Sequence, residues 1–247
     1  MSIKVGISSG HDADNVNGSP DLLLKEWQIN LKIKEKVAEK LVYNNFVYVD
    51  LNPERYGYTL EKRADIANKS NVNAVYSIHC NAMGWNWTNT GGIETYAHPE
   101  SPLNGGKKLA KLTHSRLICG TPLINRGVKY ANFAILRLTK APAALGEMAF
   151  MDNKEESKLL ISDEYQEECA REITQGICDF FGTEYKDNKN NTISNYDLLK
   201  KEYEKLRNEY TKLHEENIEQ KNKIDKVQDY IKKQISEMEY VERKYFT

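Results

Sequence analysis

Four side chains in this sequence carry chemistry that their surroundings do not explain. His11 follows the apolar run Ile3 to Ser9 and Gly10. Glu26 stands early in an amphipathic stretch. His79 lies late in the run Asn73 to Ala82, Asn-Ala-Val-Tyr-Ser-Ile-His-Cys-Asn-Ala. Glu147 sits between Ala-Ala-Leu-Gly and Met-Ala-Phe. Taken singly, three of them also suit ordinary roles: a turn residue for His11, a solvated helix residue for Glu26, a satisfied core histidine for His79. Glu147 is more telling, because a carboxylate in an apolar strand is costly to bury without a cation or a task. Together the four suit one chemistry. Two imidazoles and a carboxylate form the ligand set of many catalytic Zn²⁺ sites, with a fourth position left to water whose pKa falls to roughly 7. A second carboxylate, not a ligand, then takes the proton and passes it to a leaving amine. The chain contains no His-Glu-x-x-His, so the helix-borne metalloprotease arrangement is excluded.

These residues need elements to position them. Ile3 to Ser9 reads as a strand, and Asp12 to Pro20, rich in Asp, Asn, Gly and Ser, as a loop. Asp21 to about Asn44 is helical, with Leu24, Trp27, Leu31, Ile33, Val37, Leu41 and Val42 on one broad stripe. Phe46 to Leu51 is a second strand. Thr59 caps a helix over Leu60 to Ser70. In the strand carrying His79, alternation sets Ser77, His79 and Asn81 on one face and Tyr76, Ile78 and Cys80 on the other. Met83 to Gly92 is a loop with Trp85 and Trp87, which suit either stacking on a substrate or pinning their own loop. Gly92 to Ala97, Gly127 to Tyr130, Phe133 to Leu138 and Ala143 to Phe150 read as strands. Leu103 to Cys119, Lys154 to Leu160 and Ser162 to Phe181 read as helices, the last closed by Gly182. Strands alternating with helices give an α/β domain with a mostly parallel sheet, whose strand ends are where ligands bind.

The 247 residues allow one sizeable core plus a further element. A formal net charge of −1, from 35 basic and 36 acidic residues, gives no reason to expect nucleic acid or a membrane surface as partner. Cys80, Cys119, Cys169 and Cys178 are widely spaced with no CxxC pair, as expected of free thiols in a reducing compartment. The N-terminus runs straight into a strand pattern, so neither a signal peptide nor membrane insertion is expected. Beyond Thr183 the character changes. Residues 184–195 are mostly polar and read as a linker. From Tyr196 to Thr247 a heptad repeat places Tyr203, Tyr210, Asn217, Ile224, Ile231, Met238 and Tyr245 on one seam position. Leu199, Leu206, Leu213, Gln220, Val227, Gln234 and Val241 occupy the other. Glu202 against Arg207 and Glu216 against Lys221 favour a parallel homodimer, with Asn217 as a register-fixing polar residue, while Glu237 against Glu242 repels. A single long helix is the other reading of this segment.

In order and spacing, the set Gly10-His11, Glu26, Arg63-Ala-Asp-Ile-Ala-Asn68, Ser77-Ile-His79-Cys-Asn81-Ala, Gly91-Gly-Ile-Glu-Thr-Tyr96, Arg126-Gly-Val-Lys and Pro142-Ala-Ala-Leu-Gly-Glu147-Met-Ala-Phe150 resembles the zinc-dependent N-acetylmuramoyl-L-alanine amidases. This is the Amidase_3 family of autolysins and phage endolysins. The resemblance covers about residues 1 to 182. It implies a six-stranded sheet flanked by helices, and hydrolysis of the amide between the lactyl group of N-acetylmuramic acid and L-alanine. It implies His11, Glu26 and His79 as zinc ligands and Glu147 as the catalytic acid. Asn81 and Arg126 are candidates to orient substrate, and packing or surface roles suit them equally. Asp12 departs from the family, which usually has a second glycine after the histidine.

The expected organisation is a zinc amidase domain over 1–183, a linker over 184–195 and a coiled coil over 196–247. The expected partner is bacterial peptidoglycan. The missing leader suits an endolysin held in the cytoplasm and released through a holin. Two other readings use the same residues: a zinc peptidase or carboxypeptidase acting on stem peptides, and a non-catalytic wall-binding scaffold built around the coil. The first would need a basic side chain to hold a terminal carboxylate.

Overall fold

A computed structural model describes residues 2–15, 17–54, 56–102 and 105–187, and seven positions further on: Lys212, Gln220, Lys221, Lys223, Ile224, Gln228 and Lys232. Those seven are helical and exposed. The chain divides into two units, Met1–Asn190 and Asn191–Thr247. The rest of the expected coil, and residues 188–195 of the expected linker, lie outside the described residues.

The first unit holds one six-stranded sheet in the order β2-β1-β3-β6-β4-β5. Its strands are β1 (Lys4–Ser9), β2 (Val47–Asp50), β3 (Ala74–Asn81), β4 (Ile93–Ala97), β5 (Asn125–Tyr130) and β6 (Ala143–Phe150). β1 pairs in parallel with β2 and β3, and β3 with β6. β4 then runs antiparallel to β6, and β5 parallel to β4. The sheet is mostly parallel, with its last two strands reversed.

Both faces are covered. α1 (Glu26–Tyr43) and α3 (Gly106–Gly120) each pack against α6 (Asp163–Phe181) over one face, burying Ile33, Val37, Leu41, Leu109, Leu117, Ile173 and Ile177 against Val5, Ile7, Tyr76 and Ile78. α2 (Leu60–Lys69) packs with α4 (Ala134–Leu138) on the other, over Val75 and Leu145. Strands buried on both faces read as continuous apolar runs, as β3 and β6 do. Local signals set the helix ends. Thr59 Oγ1 accepts from Lys62 N at 3.2 Å, Ser162 Oγ accepts from Tyr165 N at 3.1 Å, and α6 stops at Gly182 in the left-handed region (φ 70°). α5 (Lys154–Ile161) is capped by Asn153.

Two expectations fail. Of the expected strand Phe133 to Leu138, residues 134–138 form α4. Leu136 and Arg137 N–H bond to the Phe133 carbonyl, and Ile135 and Leu136 face α2. Ala, Leu and Arg are good helix formers, and the run is too short for its period to decide. α1 begins at Glu26 rather than Asp21. The Ser19 hydroxyl and the Leu23 N–H donate to the Asp21 carboxylate at 2.5 and 3.2 Å, and Leu22 turns left-handed (φ 57°), so a closed turn precedes the helix. The four cysteines are free, with Cys119 exposed and the others buried.

Candidate active site

The site lies where β1, β3 and β6 end, and it is assembled from separate elements. Ser9 and Gly10 lead out of β1 into His11, which takes a left-handed backbone (φ 60°), an uncommon conformation for a residue with a side chain. Arg63, buried on α2, holds that turn. It donates from Nη2 to the His11 carbonyl at 2.8 Å, from Nη1 to Ser8 Oγ at 3.0 Å and the Ser9 carbonyl at 2.5 Å, and from Nε to the Tyr58 carbonyl at 3.0 Å. Glu26, 3% exposed, opens α1. Asn30, one turn on, donates to both Glu26 Oε1 and the Gly10 carbonyl at 3.1 Å, and Cys80 N–H donates to Glu26 Oε1 at 3.2 Å.

Glu26 presents one oxygen to each imidazole: Oε2 lies 3.1 Å from His11 Nε2, and Oε1 lies 3.3 Å from His79 Nδ1. One donor atom from each of the three lies within 4.8 Å of the others. The two rings meet edge to face with centroids 5.4 Å apart. The approach is close enough to require glycine, since a Cβ on Gly10 would sit 2.3 Å from His79 Nδ1. This donor set fits a Zn²⁺ ion: two imidazoles and one carboxylate, held from behind by Asn30, Ser77 and the Cys80 amide. Burial raises the Glu26 carboxyl, but the His79 hydrogen bond and both imidazoles outweigh it and bring it below its ordinary value. Burial lowers His11. It acts on His79 too, yet Glu26 and Glu147 overcome it and leave that ring raised.

Glu147 stands beside His79 in register across β3 and β6. Its Oε2 is shut from solvent and has no hydrogen-bond partner among the described residues. Burial, with the negative charges of Glu26 and Glu94 against that of a charged His79, pushes its pKa up to about 8. His11, Glu26, His79, Asn81, Trp85 and Glu147 all line one cleft of about 300 Å³.

A second buried carboxylate continues the row. Glu94 on β4 is the register partner of Glu147. It accepts from Asn81 Nδ2 at 2.8 Å, Tyr96 OH at 2.6 Å and Arg126 Nε at 2.8 Å, and it also pairs with Lys129 Nζ. Burial works against its ionisation, but Lys129, Tyr96 and Arg126 together hold its pKa down at about 2.

The profile of the family Amidase_3, N-acetylmuramoyl-L-alanine amidase, matches residues 5–179. The chain belongs to this family. Among the relatives of this amidase, the endolysin of Bacillus phage SPP1 is 31% identical over 75% of this chain and 69% of its own length. The amidase LytC of Bacillus subtilis (strain 168) is 29% identical over 71% of this chain, which spans only 35% of LytC. Among solved structures, the N-acetylmuramoyl-L-alanine amidase from Clostridium difficile 630 superposes with a TM-score of 0.70 at 29% identity, covering 74% of this chain and 98% of that one.

Within the amidase, His11, Glu26, His79, Asn81 and Glu147 meet at the cleft, whereas Arg126 is engaged by Glu94 one strand beyond it. Asp12 bonds to Asn15 and does not line the cleft. His98 and His114 make ordinary polar contacts with Asn132, Thr95 and Asn125, as their sequence surroundings suggest. His214 lies outside the described residues. Sequence reasoning did not single out Asn30, and it met Arg63, Glu94 and Lys129 only inside longer stretches. A signal existed for Asn30, one helical turn from Glu26 on the same face.

Proposed function

We propose that the chain is a zinc-dependent N-acetylmuramoyl-L-alanine amidase that acts on bacterial peptidoglycan, with His11, Glu26 and His79 holding the metal and Glu147 moving the proton. The observation carrying this reading is the meeting of three donor atoms within 4.8 Å beside a carboxylate oxygen that has no partner. A Zn²⁺ ion held there supplies Lewis acidity for amide hydrolysis. Glu147 takes a proton from the attacking water and gives it to the leaving alanine nitrogen. Its raised pKa suits the second half of that task, and positive charge among its neighbours lowers it toward the first. Asn81 orients the substrate from the cleft wall, and Arg126 does so from two strands further out.

The likeness to the SPP1 endolysin supports a lytic role, and with it the localisation expected from the sequence, cytoplasmic until a holin opens the way. Among the described residues no helix is long and apolar enough to cross a membrane. The proposed organisation keeps 1–183 as the catalytic domain, 184–195 as linker and 196–247 as a coiled coil forming a parallel homodimer. The heptads support the coil. Sedimentation of the full chain as a monomer at micromolar concentration would remove it from the reading.

The deciding experiment digests Gram-positive peptidoglycan with the full-length protein, with chelator and with Zn²⁺ restored. New N-terminal alanine without new reducing sugar, lost on chelation, is the expected result. Release of a C-terminal amino acid instead would make the chain a carboxypeptidase.

A further inference from the structure

Arg126 and Lys129 are more than a seal on Glu94. β4 and β5 change register between Ile93 and Thr95, so Arg126 and Gly127 (φ 84°) bulge toward Glu94. Each cation uses only part of its donor set. Arg126 bonds through Nε to Glu94 and through Nη1 to the Gly91 carbonyl, with its guanidinium over the Phe150 ring, and Nη2 has no partner among the described residues. Among the described residues Lys129 has one polar partner, Glu94, and its side chain is 39% exposed. Two cations thus share one carboxylate beside Glu147. The Glu156 carboxylate nearby is already taken by the Gly92 and Phe150 amides.

We propose that Lys129 and Arg126 form a subsite for a carboxylate on the leaving peptide, with Glu94 as the positioning residue that aims both. The inference rests on the amidase reading and names which half of the substrate lies on this side. The glycan half carries no formal charge at the scissile bond, because the lactyl carboxyl is consumed in the amide. The peptide half does carry charge: its second residue is a glutamate joined onward through its side chain, with an α-carboxyl left free or amidated. The spacing agrees. β5 is two strands from β6, roughly 10 Å at ~4.8 Å per strand. The cation head groups lie nearer than that, because both reach back to Glu94 on β4, the strand next to β6. An extended peptide covers ~3.5 Å per residue, so a carboxyl on the second residue, roughly 7 Å from the scissile nitrogen, falls within that span. The subsite favours the free carboxylate over the amide.

The test uses the zinc-loaded full-length protein and two substrates, N-acetylmuramoyl-L-Ala-D-Glu and N-acetylmuramoyl-L-Ala-D-isoGln. The expected result is a KM about three- to tenfold lower for the acidic substrate with little change in kcat. Lys129→Gln should narrow that ratio to within about twofold, and Lys129→Arg should restore it. Equal KM values in the parent protein, or a ratio unchanged by Lys129→Gln, overturn the subsite while leaving the amidase intact. Cleavage of neither substrate would overturn the amidase reading instead. The subsite then stands or falls on NMR titration of L-Ala-D-Glu against L-Ala-D-isoGln: tighter acidic binding lost in Lys129→Gln supports it, and equal binding overturns it.

Discussion

Glu26 and Glu94 are both buried carboxylates held well ionised, and Glu147 lies near both, yet they sit in opposite kinds of surroundings. Glu94 is met by a phenol, an amide and two cations. Its charge is neutralised whatever the solution holds. Glu26 faces two imidazoles, groups that change charge near neutrality and that also ligate metals. Its environment is complete only when something positive joins it. The difference separates a carboxylate that organises structure from one that waits for a ligand. Glu147, with no hydrogen-bond partner at Oε2 among the described residues, is the one left to exchange a proton.

That contrast can be broken by substitution. Glu26→Ala should give the largest effect: zinc content near zero by elemental analysis, and amide hydrolysis lost with it. Glu147→Ala should keep zinc at the parent's stoichiometry while hydrolysis falls by about 10²–10⁴-fold. The reverse pattern would exchange the two roles. Gly10→Ala pushes a methyl into His79 Nδ1, so zinc affinity in a competition titration should fall by roughly 10–100-fold, with the fold retained. Glu94→Gln should act mainly on stability, costing about 2 kcal/mol in urea unfolding at pH 7 because two cations lose their anion.

The pH dependence sharpens the last prediction. The Glu94 pKa in the folded protein, about 2, lies below the value of ~4.3 for a free glutamate. Its stabilising share is complete above the free value and is lost as pH falls from there toward 2. Glu94→Gln should flatten that stretch of the acid unfolding profile. An unchanged profile would mean that the cations find other partners.

Much of this arrangement was legible in the sequence, and the omissions have physical causes. His11, His79 and Glu147 stand out because polar groups at the ends of apolar runs are rare and costly. Alternation correctly set His79 apart from Ile78 and Cys80 along β3, and the Thr59, Ser162 and Gly182 signals placed helix ends. Arg63 gave no sign of its task because most of its partners are backbone carbonyls, which have no sequence signature. The Glu94 cluster was equally silent: it depends on the reversal of β4 against β6 and on a register shift in β5, both set by tertiary packing. α4 was misread because a short apolar run fits either period, and its contact with α2 decides.

Trp85 brings a practical consequence. Of the three tryptophans, Trp27 belongs to α1 and Trp87 lies under the Lys154 ammonium, 5.6 Å from its ring centroid. Trp85 alone lines the cleft, 57% exposed and without a ring or hydrogen-bond partner among the described residues. A wet indole fluoresces further to the red than a dry one. The cleft thus carries its own optical label, and a ligand that displaces water from it announces its arrival by colour before any bond is cut.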